Sequence, residues 1–317
     1  MKIIEVIKMN REELLKVIGS VEQIGGVRDF VFNDGRAKGV RAIEINTGKI
    51  CFTLLPDRGL DIANASFMGT NVSWISKTGI TDPRFYEKAD NGFLRGFFGG
   101  LVTTCGLKNI GGGVGEYGLH DRVSNTPAEK VSVFADWVGD DYCMEVSAHI
   151  RQCKVFGENI VIKRTIKTKL FSNSFTLTDT IVNEGHSDED FAIAYHCNFG
   201  YPLVREGAKI INVPEDIAAI SGPIHGKEEE CIGVPQSGDR PTVGIENGEM
   251  GAYITYDKQT MPSFLVWKML GESEYVVGLE PRTTNFGGQN IINNNAFVAL
   301  KPFEEYKSCL EFEFKSL

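Results

Sequence analysis

Three residues carry most of the potential chemistry of this chain: His120 in YGLHDR, His196 in AIAYHCNFGYP and Glu280 in VVGLEPRTTN. Each ends an apolar, strand-like run, and positions 120 to 280 are far apart in sequence, so only a fold can gather them. If it does, the result is an acid/base site. Imidazole titrates near pH 6.5, and a carboxylate beside it can take a proton while the imidazole gives one. Scattered histidines also meet by chance, and five are present here. The same trio could hold zinc or iron. No HxH or HxxxH spacing supports that alternative, and no metal or cofactor is expected.

The other motifs are blander. Gly111-Gly112-Gly113-Val114-Gly115 lacks a following Lys-Ser/Thr and opens no helix pattern, so it reads as a flexible loop rather than a phosphate cradle. Cys105 in TTCGL would need a histidine to act as a nucleophile, with His120 or His196 as the candidates; a buried structural thiol is the simpler reading. His149 in a strand, His186 at a turn and His225 in an acidic stretch suggest no shared site.

The elements that would position the trio are β-rich. Asn10, with Glu13 three residues on and Gly19 as a stop, predicts one short helix over residues 11–18. After it, β-branched and aromatic runs alternate with turn signals at Asp34-Gly35, Thr47-Gly48, Gly139-Asp140-Asp141, Gly157-Glu158-Asn159 and Ser172-Asn173. The alternation of Ile162, Arg164, Ile166 and Thr168 fits a meander of long antiparallel strands, spaced as in a sandwich. No 3.6-residue pattern of helix length follows residue 20, which argues against parallel βαβ architecture. Residues 221–250 read as a long acidic surface loop, not a hinge. The expectation is one domain, 1–317.

Composition bounds the function. The chain has 317 residues, 42% hydrophobic, with 20 Phe, enough for a large core. A net charge of −9 argues against nucleic-acid binding. The N-terminal stretch lacks an uninterrupted apolar core and cleavage site, and no apolar run nears the ~20 residues of a membrane span, so no membrane partner is expected. Seven scattered cysteines without a CxxC pair fit a reduced, cytoplasmic protein with mostly buried thiols. Oligomeric state is not readable.

Five segments carry a family resemblance: LPDRGLDIANASFMGTNVSW (55–74), GFFGGLVTTCGLKNIG (96–111), YGLHDRVSNTPAEKV (117–131), AYHCNFGYPLV (194–204) and GLEPRTTN (278–285). In that order they resemble the DUF4432 family, of the galactose-mutarotase-like group related to aldose 1-epimerases. The resemblance implies an all-β, antiparallel β-supersandwich with a carbohydrate-binding cleft on its concave face. It also implies roles. His196 matches the acid that protonates the ring oxygen, Glu280 the base on the anomeric hydroxyl, and His120 a second histidine that binds and polarises the sugar. Arg95 stands near the position of a substrate-binding arginine. Asn198 lies in the altered signature Tyr195-His196-Cys197-Asn198-Phe199, and Lys268 falls near the position of a substrate-binding aspartate. Asp121 replaces the glycine that usually follows the first histidine.

Arg58 and Arg122 are extra charges in these blocks, and arginine favours planar anions. They imply a sugar acid, or a phosphorylated or sulfonated sugar, unless Arg58 pairs internally with Asp57 or Asp61. Trp74 and Trp267 could stack on a sugar ring.

The chemistry is coherent by itself. Opening a hemiacetal removes a proton from the exocyclic oxygen and adds one to the ring oxygen, with no redox cofactor. The expectation is a sugar epimerase or isomerase acting on a small-molecule carbohydrate. The alternatives are a non-catalytic carbohydrate-binding or regulatory protein and a metal-assisted keto-sugar isomerase.

Overall fold

The computed structural model describes residues 9–89 and 91–317. Its helix Arg11–Leu15 starts as the sequence predicts but ends three residues short of the expected residue 18, giving way to a turn at Lys16 and Val17. The Asn10 side chain accepts from the Glu13 amide, and the Glu13 carboxylate accepts from the Asn10 amide. Two further short helices, Glu215–Ala218 and Gln289–Asn293, lie in connections. The rest is dominated by antiparallel strands in three sheets.

A five-stranded sheet runs in chain order from Gly26–Val31 to Thr70–Asn71. An eight-stranded sheet contains the expected meander: Glu129–Val138, Asp141–Cys153, Asn159–Lys169 and Ser174–Asn183 pair in sequence. Asp34-Gly35 opens a short 3-10 turn between two paired strands instead of a two-residue hairpin. The third sheet carries the candidate site. Its order is Glu230–Gly233, Ser263–Gly271, Glu274–Arg282, Glu189–Phe199 and Val298–Leu300, with Thr103–Leu107 also paired to Glu189–Phe199.

The reading of residues 221–250 as one loop is corrected here. The stretch contains the strand Glu230–Gly233, which edges the site's sheet, and Thr242–Glu246 in the eight-stranded sheet. Short strands of two or three alternations are easily lost among Gly and Pro signals.

One apolar core joins the sheets: Phe52, Phe175, Phe312, Tyr195 and Leu279 all belong to it. Phe175 stacks on both Phe52 and Phe312, at ring-centre distances of 4.5 and 4.7 Å. Each side chain so buried is worth roughly 1.5–3 kcal/mol. Period-two alternation then sorts the site's sheet. Ile193, Tyr195, Cys197 and Phe199 enter the core, as do Val277 and Leu279. The intervening residues, including His196 and Glu280, must face the other side.

Of the seven cysteines, only Cys105 and Cys197 are buried, while Cys153 and Cys231 are exposed; all are free thiols. This corrects the expectation of mostly buried thiols. No helix among the described residues is long and apolar enough to cross a membrane.

Candidate active site

Register builds the centre of the site. Pairing of Ala194 with Arg282 and of Cys197 with Leu279 sets His196 opposite Glu280. His196 Nε2 lies 3.2 Å from Glu280 Oε1, and the two residues are 5% and 4% exposed. His196 Nδ1 has no partner among the described residues, so Glu280 and packing orient the ring. Across Glu274–Arg282, the strand Ser263–Gly271 places Trp267 beside Gly278. A side chain at 278 would put its Cβ 3.1 Å from Trp267 Cε3 and 3.2 Å from His196 Cε1. Glycine there lets the indole close on the imidazole, with ring centres 4.9 Å apart.

His120 arrives by a different route. The strand Thr103–Leu107 leads into the Gly-rich excursion, which returns so that the His120 carbonyl accepts from the Gly106 amide. His120 and Asp121 both take positive φ, 57° and 53°, a region that His and Asp enter more readily than most residues. Asp121 is fixed there by Gln152 Nε2 at 2.8 Å and the Lys108 amide at 3.0 Å. The Gly111 amide donates to His120 Nδ1 at 3.2 Å, which leaves Nε2 as the protonated nitrogen of the neutral ring. Dense packing, then His196 and Arg282, pull the His120 pKa down to about 3. The His120 ring centre is 5.9 Å from that of His196, the two rings at right angles.

An aromatic roof covers the pair. Phe97 and Trp267 touch the His196 ring, Phe93 lies 5.2 Å from the His120 ring, and Trp74 packs on Phe97 and Trp267. His120 keeps more solvent access than His196 or Glu280.

Arg282 is the site residue that the sequence reading passed over. Its Nη1 lies 3.7 Å from Glu280 Oε2, while Nε and Nη2 donate to the carbonyls of Thr284 and Phe286. The signal was present: in GLEPR, Arg282 follows Glu280 by two and shares its strand face.

Several expected binding residues lie elsewhere. Arg58 is 1% exposed, and its nitrogens donate to the carbonyls of Ser124, Thr81 and Gly96 above the Phe98 ring. It pairs directly with neither Asp57 nor Asp61; it ties three loops together, and burial lowers its pKa to about 10. Lys268 is adjacent to Trp267 and so faces the opposite side of the strand, where Nζ donates to the carbonyls of Ile217 and Ala219. Arg122 pairs loosely with Asp121 Oδ1, 3.4 Å away. Successive left-handed residues turn the chain between His120 and Arg122. Arg95 sits on the turn Gly92–Arg95, whose Phe93 meets His120, but its own guanidinium pairs with Glu87 near solvent, at 3.3 Å. Asn198 shares the His196 face yet is fully buried, with Nδ2 donating to the His196 carbonyl.

Cys105 and Cys197 are sealed, and burial holds their thiols well above the usual range. Such thiols stay protonated and poorly nucleophilic. No group of three His, Cys, Asp or Glu among the described residues is arranged to hold a metal ion.

Comparison with known proteins places these features in a wider set. The family described as "Domain of unknown function (DUF4432)" matches residues 37–314. A Klebsiella pneumoniae protein provisionally called an aldose 1-epimerase superposes with a TM-score of 0.86 at 23% identity, covering 96% of this chain and 86% of that one. A galactose mutarotase-like protein from Clostridium acetobutylicum gives a TM-score of 0.64 at 11% identity, covering 93% and 100%. Galactose 1-epimerase from Lactobacillus acidophilus gives 0.61 at 12%, covering 92% and 98%. At these identities the likeness is one of fold. No curated protein matches the chain.

Proposed function

Because the chain belongs to the DUF4432 family and sets an imidazole against a carboxylate on one sheet face, we propose that it is a sugar epimerase acting at the anomeric carbon. The fold shared with proteins named as aldose 1-epimerases and a galactose 1-epimerase supports this class. The observation that carries it is the 3.2 Å contact between His196 Nε2 and Glu280 Oε1.

The reaction starts from a Glu280 carboxylate and a His196 imidazolium. With a cyclic sugar bound against the pair, so that its anomeric hydroxyl meets Glu280 and its ring oxygen meets His196, Glu280 takes the proton of the anomeric hydroxyl. The C1–O1 bond becomes a carbonyl, the C1–O5 bond breaks, and His196 Nε2 gives its proton to O5. Rotation about C1–C2 and reversal of the same transfers close the ring as the other anomer. Both groups then return to their starting states, so no net proton is consumed. His120, neutral with Nε2–H available, serves as a hydrogen-bond donor to the sugar and not as a second acid. Arg282 Nη1, 3.7 Å from Glu280 Oε2, helps to position that carboxylate.

The test is proton NMR of anomer exchange over a panel of reducing sugars. Glu280→Gln and His196→Asn should each lower turnover by ~10²-fold or more while the melting temperature holds. Near wild-type turnover in either variant removes that residue from the mechanism.

A further inference from the structure

A cavity of about 670 Å³ lies against the roof of the site. That is within the ~300–1,000 Å³ of small-molecule sites. Trp74, Phe97, Trp267 and Met269 line its apolar side, and Lys77, Glu228, Glu229 and Glu274 stand on its polar side. Phe97 and Trp267 belong to both places, since their ring centres lie 5.3 and 4.9 Å from the His196 ring. The cavity therefore begins about one aromatic ring away from the candidate acid.

We propose that this cavity is the subsite for a second sugar unit, so that the substrate is the reducing end of a neutral disaccharide or longer glycan. The proposal rests on the ring-opening reading above and names its substrate class. Trp74, Phe97 and Trp267 form an aromatic wall with ring centres 5.9 to 6.3 Å apart and planes tilted 56° to 69° to one another; Trp74 is the least buried of the three and offers the ring on which the C–H face of a pyranose can stack. Glu229 Oε2 accepts from Trp267 Nε1 at 2.8 Å, which fixes the indole of Trp267 in that wall.

The charges select against an anion. Lys77 is paired with Glu274, and Lys227, also on the cavity wall, with Glu230. Among the described residues Glu228 has no ion-pair partner. Among the described residues the rim thus offers hydrogen-bond acceptors for hydroxyls, while its two cations, Lys77 and Lys227, are both paired. Arg58, the main reason to expect an anionic sugar, is consumed by backbone carbonyls.

The experiment compares cellobiose, maltose and lactose with glucose and galactose. Anomer exchange is followed by proton NMR and binding by tryptophan fluorescence, since two of the three tryptophans line the cavity. At least one disaccharide should show a kcat/KM ~10-fold or more above its monosaccharides. Glu228→Lys and Leu94→Arg change the cavity wall away from the acid/base pair. Each should lower the disaccharide kcat/KM ~10-fold and leave the monosaccharide value unchanged. Equal kcat/KM for disaccharides and monosaccharides, or equal losses on both in the variants, overturns the subsite. If no anomers exchange faster with protein, yet a disaccharide binds and Glu228→Lys weakens it, the ring-opening reading fails and the subsite stands. If no disaccharide binds or turns over, the subsite fails whatever the monosaccharides do.

Discussion

Tyr195 and His196 are neighbours on one strand, yet they face two polar clusters built on opposite rules. On the Tyr195 side, Arg164 is wholly buried between Asp61 and Asp179. Its Nε and Nη2 bind Asp179, Nη1 binds Asp61 and the Gly59 carbonyl, and Nη2 also meets Thr104 Oγ1. Tyr195 Oη closes the set against Asp179 and Ser308. On the His196 side, His196 Nδ1 and Asn198 Oδ1 are buried without partners among the described residues, and Glu280 sits between an imidazole and a guanidinium. The closed cluster has no bonding capacity left for a ligand, so its role is to hold sheets in register. The open cluster leaves hydrogen-bonding capacity unused around the acid/base pair, where the closed cluster leaves none.

The largest expected effect tests the closed side. Arg164→Met leaves Asp61 and Asp179 buried without a counter-charge, a loss of ~3–5 kcal/mol of stability. Urea denaturation measures it; a loss below ~1 kcal/mol would erase the contrast with the open side.

Gly278→Ala tests how finely the open side is set. The added methyl meets Trp267 and His196 at 3.1 and 3.2 Å, so one ring must shift by a few tenths of an ångström. Turnover should fall ~10-fold with little change in melting temperature, because position matters more to catalysis than to burial. An unchanged rate would mean that the His196 ring does not need its present seat.

His120 gives a smaller, pH-dependent signature. Its pKa is about 3 in the folded protein and ~6.5 in an unfolded chain. Between those values the unfolded state binds the extra proton, so this residue's contribution to stability falls as pH drops from 6.5 toward 3. His120→Gln cannot titrate. The melting temperature of wild type minus that of His120→Gln should therefore decline as pH is lowered through this window. A flat difference would place His120 in an environment that tolerates charge.

Lys268→Met should do least. It removes hydrogen bonds to the Ile217 and Ala219 carbonyls, costing ~1–3 kcal/mol of stability. It leaves anomer exchange unchanged, since the side chain is on the far face of the Trp267 strand. A selective loss of turnover would return Lys268 to the site.

Legibility followed the range of each interaction. The capping box at Asn10 and Glu13, the meander from 129 to 183 and the core side of each strand were readable, because caps, turns and alternation act over a few residues. Asp57 and Asp61 suggested an ion pair for Arg58, but three carbonyls from distant loops took it. Lys268 carried a motif-level expectation, yet its parity on the strand, opposite to Trp267, argued against it from the sequence itself. Arg282 could have been found by the same parity.

The sequence by itself determined which residues share a face and which three could do acid/base work, because a strand's period of two is a local property. Tertiary structure decided that His196 stands opposite Glu280, 84 positions on, since register between strands so far apart is set by the whole core and a one-residue slip would turn every side chain over. It also decided that a Gly-rich excursion delivers His120 through the Gly111 amide, and that Arg164 closes one side of the strand while the other stays open. Those outcomes depend on which backbone groups become neighbours after folding, and no local pattern records that.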